Sequence, residues 1–240
     1  MTEPAPHRDV TELAEEVLQS ATRRVTGRGE VGERPRGVIG VLHRLSIGLD
    51  RITSFTGSIA WVLAWVVFVL GLFNVVTRYL ARFIERDIII GQAFDLQWMI
   101  FGVMFLLGLN YGVREGVNPR IDFWWANFSV RRKAWIDIIF HTFLFLPFCW
   151  MAVNILWGYS LTGMGRSFNG SWSTWKVWEI WEQSTDAGGL PRGPIKLMIL
   201  IGFGLLALQV IAEIIKNLLV LLGREDLSDI HQPQAPARIE

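Results

Sequence analysis

An all-α integral membrane protein with four transmembrane helices is the fold class this sequence predicts. Three observations lead to it. Hydrophobic residues make up 51% of the 240 and charged residues only 19%, below the roughly 25% charge of an average soluble domain. Mean hydropathy is positive. Four uncharged stretches are each long enough to cross about 30 Å of hydrocarbon, which takes roughly 20 residues of helix. Backbone groups in lipid must bond internally and strand-like alternation is absent, so these stretches are expected as helices.

Residues 1–43 form a polar extension rich in Arg, Glu, Gly and Pro. Within it "DVTELAEEVLQSATRRV" has the pattern of an amphipathic surface helix. No apolar segment opens the chain, so no cleavable signal peptide is expected. The membrane domain covers 44–222. Its first span is expected at about 55–77, between Arg51 and Arg78. The second, 95–113, opens on Asp95 and Gln97 and ends at Arg114. An acid there meets the positive end of the helix dipole and caps free N–H groups. Gly108 and Gly112, four apart on this helix, offer a close-packing face of small residues.

The third span, 137–158, has its core at 138–157. The fourth, 195–216, starts after Pro194, a residue suited to a first helical turn. Its uncharged core, 197–212, is short, so Lys196 and Lys216 are expected to snorkel toward headgroups. The helix should continue through "NLLVLLG" before a hydrophilic tail, 223–240. Ahead of this span, "SWSTWKVWEIWEQSTDAGGLPRGP" places Trp172, Trp175, Trp178 and Trp181 three apart. On an α-helix these four sweep about half the circumference, which predicts an interfacial amphipathic helix before the last span. Two readings of it stand: anchoring in the headgroup zone, which suits indole, or docking of a partner, since Trp is frequent in binding hot spots.

Orientation follows the Lys/Arg bias. Arg34, Arg36, Arg44 and Arg51 precede the first span. Arg114, Arg120, Arg131, Arg132 and Lys133 crowd the short second loop, and Arg224 follows the fourth span. The first loop balances its three Arg with Glu85 and Asp87, and the third spreads its cations over more than thirty residues. Both termini and the second loop are therefore expected in the cytoplasm.

The composition excludes several functions. A net charge of +1 provides no basic field for nucleic acid. The one cysteine, Cys149, leaves no thiol pair for a disulfide or a redox relay. The four histidines match no zinc spacing. Ionisable residues within spans are functional suspects, but the polar groups there are few: Asn74, Asn110, His141, Asn154 and Gln209, with Glu213 near an end. A haem would need a second intramembrane histidine facing His141, so His141 is expected to bond a neighbouring helix. Glu213 and Lys216, three apart, are expected to pair. Ion sites usually need several acids or broken helices near the midplane. No catalytic, cofactor-binding or metal-ligating residue is assigned, and no enzyme activity or cofactor is expected.

Three stretches resemble a known family. "FDLQWMIFGVMFLLGLNYGVREGVNPRIDFWW" resembles an acid–aliphatic–Gln–Trp helix (Asp95, Leu96, Gln97, Trp98) followed by a charged loop ending in Arg120, Ile121 and Asp122. "SVRRKAWIDII" resembles the basic approach to the family's third helix. "WEQSTDAGGLPRGPIKLMILIGFGLLALQVIAEIIK" resembles the approach to its last, with Glu182, Ser184, Gly188, Gly189, Leu190 and Pro191 in order. The family is that of the small permease subunit (DctQ type) of tripartite ATP-independent periplasmic (TRAP) transporters, and the resemblance covers about 44–216. The second loop reads Asn118-Pro119 where members often have histidine, so a role tied to that imidazole does not carry over.

The resemblance implies a bacterial inner-membrane complex. A large permease subunit holds the substrate and sodium sites, a periplasmic solute-binding receptor delivers the solute, commonly an organic acid, and the small subunit is stationary scaffold amid membrane lipid. It makes Asp95, Gln97, Trp98, Gly108, Gly112, Arg120, Asp122, Glu182, Ser184, Gly188, Gly189 and Pro191 the candidates for subunit-interface or structural roles. A membrane anchor of an unrelated complex is the alternative, and a small haem or redox protein is a third reading.

Overall fold

The computed structural model describes residues 37–84, 91–117, 128–185, 189–224 and 227. Four helices are long and apolar enough to cross a membrane. We number them α1 (Gly37–Ile84), α2 (Gly91–Arg114), α3 (Val130–Gly163) and α4 (Gly193–Leu221). Among the described residues there is no strand, only an isolated antiparallel bridge between Arg166 and Trp172. The chain divides into two units, Met1–Gly40 and Val41–Glu240. Of the first unit only residues 37–40, the opening turn of α1, are described, and the amphipathic segment expected upstream lies outside the described residues.

Every helix outlasts its expected span, because hydropathy marks where lipid begins while a helix stops only where its backbone is diverted. The 48 residues of α1 correspond to about 72 Å at 1.5 Å per residue. Three helices stop on the same device. Gly116, Gly165 and Gly223 take φ of +66°, +93° and +75°, a left-handed conformation that costs glycine little. After α4, Gly223 N–H donates to Val220 O and Arg224 N–H to Leu219 O, each at 3.0 Å. These paired bonds satisfy carbonyls that the helix end leaves free.

α3 is not uniform. A π turn, His141–Phe145, interrupts it ahead of Pro147. Proline lacks an N–H and crowds the carbonyl four residues back. The wider turn absorbs this, with Leu146 N–H donating to His141 O. His141 bonds within its own helix, Nδ1 lying 2.6 Å from Asp137 O, rather than to a neighbouring helix as expected.

α4 is the centre of the bundle, packed between α2 and α3. Val113, Cys149 and Leu206 form its buried core, flanked by Leu109, Phe145, Phe203 and Ala207. Phe148 and Phe203 meet edge to face at 5.9 Å. Gly202 lets α2 approach: a Cβ there would sit 2.9 Å from Leu106 Cβ. The close-packing face expected at Gly108 and Gly112 is different inside the chain. Gly108 has ordinary room beside Ala60, and nothing lies within 4 Å of a Cβ at Gly112. On α1 it is Gly57 that opens a slot, and Tyr111 fills it.

The amphipathic helix expected before α4 does not form. Among the described residues of 164–192 the one helical piece is a 3-10 turn, Val177–Glu179. β-branched, aromatic and hydroxyl side chains disfavour a helix here, and the backbone is committed to other bonds. Glu182 N–H donates to Gly163 O at 2.9 Å, and Arg192 N–H to Glu182 O at 2.7 Å.

Candidate functional site

Polar side chains collect in two places, one toward each end of the bundle. The first is a seam joining α1 to α2 and α4. Asp50, Thr53, Ser54 and Thr56 recur at helical spacing along α1 and face the last turns of α2 and the second half of α4. Thr53 Oγ1 donates to Gln209 Oε1 at 2.5 Å. Gln209 Nε2 in turn donates to Asp50 Oδ1 at 3.1 Å and to Glu213 Oε1 at 2.8 Å. Lys216 Nζ lies 2.9 Å from Asp50 Oδ1 and 2.8 Å from Glu213 Oε1. Arg114 donates to Ser54 Oγ at 2.6 Å and reaches Asp50 at 4.0 Å. Asn110 Nδ2 donates to Thr56 Oγ1 at 3.0 Å, and its buried Oδ1 has no partner.

Within the seam Asp50 and Glu213 flank Lys216, and Asp50 and Glu115 flank Arg114, Glu115 at 3.6 Å. The Lys216 side chain is only 4% exposed. It does not snorkel, because two carboxylates within 3 Å make a better partner than a distant headgroup. A charge placed in low dielectric persists only when it is paired and hydrogen-bonded, and this one is.

The second place is a clamp at the opposite end, where the third loop returns to the helices. Asp95 lies in the second turn of α2, since that helix begins at Gly91. It therefore caps the incoming loop rather than its own helix. Leu190 N–H donates to its Oδ2 at 3.0 Å and Trp98 Nε1 to its Oδ1 at 3.1 Å. Gly189 is obligatory beside it: a Cβ there would fall 2.6 Å from Asp95 Oδ2 and 2.5 Å from Ser184 Oγ. Arg192 donates to Ser184 Oγ and Thr185 Oγ1, each at 3.3 Å, and stands 5.9 Å from the Trp98 ring. Lys196 pairs with Glu182 and lies 4.1 Å from the Tyr159 ring. It too turns inward rather than snorkelling. Ser160 Oγ donates to Lys196 O at 2.8 Å, holding α3 to α4.

Of the candidates, the clamp unites Asp95, Trp98, Glu182, Ser184 and Gly189, with Pro191 partly buried next to them. Gln97 stands apart, accepting from Asn74 Nδ2 at 2.7 Å and so tying α2 to the far part of α1. Gly108 and Gly112 join neither group. Arg120, Asp122 and Gly188 lie outside the described residues. Sequence reasoning found Glu213–Lys216 but missed Asp50, Thr53, Ser54 and Thr56. Their helical spacing was the available signal, and it matched the spacing of Gln209, Glu213 and Lys216. Among the described residues no group of three or more His, Cys, Asp or Glu could hold a metal. The chemistry of both clusters is that of locks between elements.

The family model described as "Tripartite ATP-independent periplasmic transporters, DctQ component" matches residues 67–219. That stretch holds the last 18 residues of α1, all of α2 and α3, the clamp and most of α4. No curated protein and no solved structure matches. The match covers well over half of the chain, which therefore belongs to the DctQ component family of tripartite ATP-independent periplasmic transporters, as a small permease subunit.

Proposed function

We propose that this subunit is a stationary, non-catalytic scaffold for a large permease subunit. The complex it serves is a sodium-coupled importer, in a bacterial inner membrane, of an organic acid delivered by a periplasmic receptor. Solute class, receptor and coupling ion rest on family membership. The scaffold role rests on one observation: the charges of the seam are spent on one another. Asp50, Glu213, Lys216 and Arg114 all bond within the chain, which leaves a fixed girder rather than a site that fills and empties. The haem or redox alternative has no comparable support.

The surface meant for the large subunit is on α1. Ile52, Phe55, Ile59, Val62, Val66, Val69 and Phe73 repeat at alternating three- and four-residue spacing, and all are exposed. That rhythm is the seam along which one helix packs into another. Trp61, Trp65 and Phe68, stacked edge to face on a different stripe, then face lipid. Both termini are placed in the cytoplasm, with the seam toward that side and the clamp toward the periplasm.

Copurification in mild detergent tests the scaffold reading. Tagged subunit should retain a much larger hydrophobic permease. Val66→Trp should weaken that association by about 1–3 kcal/mol through overpacking, while Trp61→Leu leaves it intact. Retention unaffected by Val66→Trp but lost with Trp61→Leu moves the interface to the other stripe. No retained permease at all favours an anchor of an unrelated complex.

A further inference from the structure

Between Gly163 and the clamp the chain builds a small hairpin. Arg166 and Trp172 form its bridge, and Ser167 N–H donates to Ser171 O at 3.0 Å. Gly170 closes the tip at φ +83°, with its N–H donating to Ser167 O at 2.9 Å. Arg166 Nε donates to Gly170 O at 3.0 Å, and Ser171 Oγ to Asn169 Oδ1 at 2.6 Å. The polar groups of the tip are thus largely satisfied within the tip. Its apolar member, Phe168, is 103% exposed.

Further along, the Trp series divides. Trp172, Trp175 and Trp178 are exposed, whereas the indole N–H of Trp181 is buried. Trp175 and Trp178 meet edge to face at 5.6 Å, and Lys176 Nζ stands 5.7 Å from the Trp175 ring and 3.3 Å from Glu179 Oε1. The end of this segment is tied to the helix ends at Glu182. Glu182 is bonded through its backbone to Gly163 and Arg192, and through its carboxylate to Lys196. Phe168, five residues past the end of α3, can lie no more than about 18 Å from it along the chain.

The geometry points to an interfacial foot: the hairpin 166–172, with Trp175 and Trp178, inserts into the headgroup layer of the leaflet at the clamp end. Its occupant is a phospholipid surface. Indoles suit that layer, where the ring body meets acyl chains and the N–H meets the headgroups, and the Lys176–Glu179 pair stays at its wet edge. Trp157, in the last turns of α3, is exposed as well. Internal hydrogen bonding lowers the cost of drawing the tip's backbone out of water. A foot of this kind fixes the depth of the subunit in the bilayer, and it is independent of the scaffold reading.

The test uses full-length protein carrying Cys149→Ser and Phe168→Cys, labelled with bimane and reconstituted in phosphatidylcholine–phosphatidylglycerol liposomes. Nitroxides on the headgroup or the shallow acyl chain should quench the dye, and aqueous iodide should quench it several-fold less than free dye. The unlabelled protein supplies a second reading. Brominated lipid should quench emission that is missing from the Trp175→Phe/Trp178→Phe variant. Free access to iodide with no lipid quenching overturns the proposal. So does protection from iodide that appears only when a soluble receptor is added, since the patch would then be a protein-docking site.

Discussion

At the scale of single residues, Lys216 decides most. Its ammonium bridges Asp50 of α1 and Glu213 of α4, both within 3 Å, at a side chain that is almost wholly covered. Removing one partner of a buried pair leaves the other charge uncompensated, at a cost of about 3–5 kcal/mol. Lys216→Met should therefore lower stability by that amount in denaturant unfolding followed by circular dichroism. Adding Glu213→Gln should recover a substantial part, because the stranded carboxylate is then neutral. A loss within about 0.5 kcal/mol, typical of surface substitutions, would mean that the cluster is solvated. Asn110 belongs to the same account: its Nδ2 ties α2 to Thr56 of α1.

At the scale of elements, the four helices were legible in the sequence because length and hydropathy suffice to find a span. Their ends were not, since hydropathy reports lipid and not backbone hydrogen bonds. The helix that failed to form before α4 shows the limit. Three-residue spacing of Trp fits a helix face, but it fits as well a loop in which Trp172, Trp175 and Trp178 point outward and Trp181 inward. The clamp was half legible. The order of Glu182, Ser184, Gly189 and Pro191 marked the segment, and only the fold brings it to Asp95, nearly a hundred residues upstream. The seam was the least legible of all, because Asp50 lies before the expected start of the first span and its partners lie on other helices.

At the scale of the whole molecule, α2, α3 and α4 share an apolar core, while α1 adds to the Gly57–Tyr111 packing a set of hydrogen bonds and ion pairs, at Asp50–Thr53–Ser54–Thr56 and again at Asn74–Gln97. Such a bundle has two opposite ends that can be told apart by labelling. On a Cys149→Ser background, a cysteine at Gln183, exposed in the same loop but outside the hairpin, should react with an impermeant maleimide in intact cells, and one at Ser129 should not. The reverse pattern would invert the topology.

The central claim is that the charges of this subunit hold it together and take no part in ion coupling. Sodium titration of uptake by the reconstituted complex tests it most directly, using the paired Glu213→Gln/Lys216→Met variant. That pair removes one charge of each sign and leaves Asp50 beside Arg114. With uptake expressed per assembled complex, the account predicts an apparent sodium affinity within about twofold of the unsubstituted complex, under 0.5 kcal/mol. A shift of about tenfold or more, near 1.4 kcal/mol, with assembly intact, would contradict it and place the coupling machinery partly in this chain.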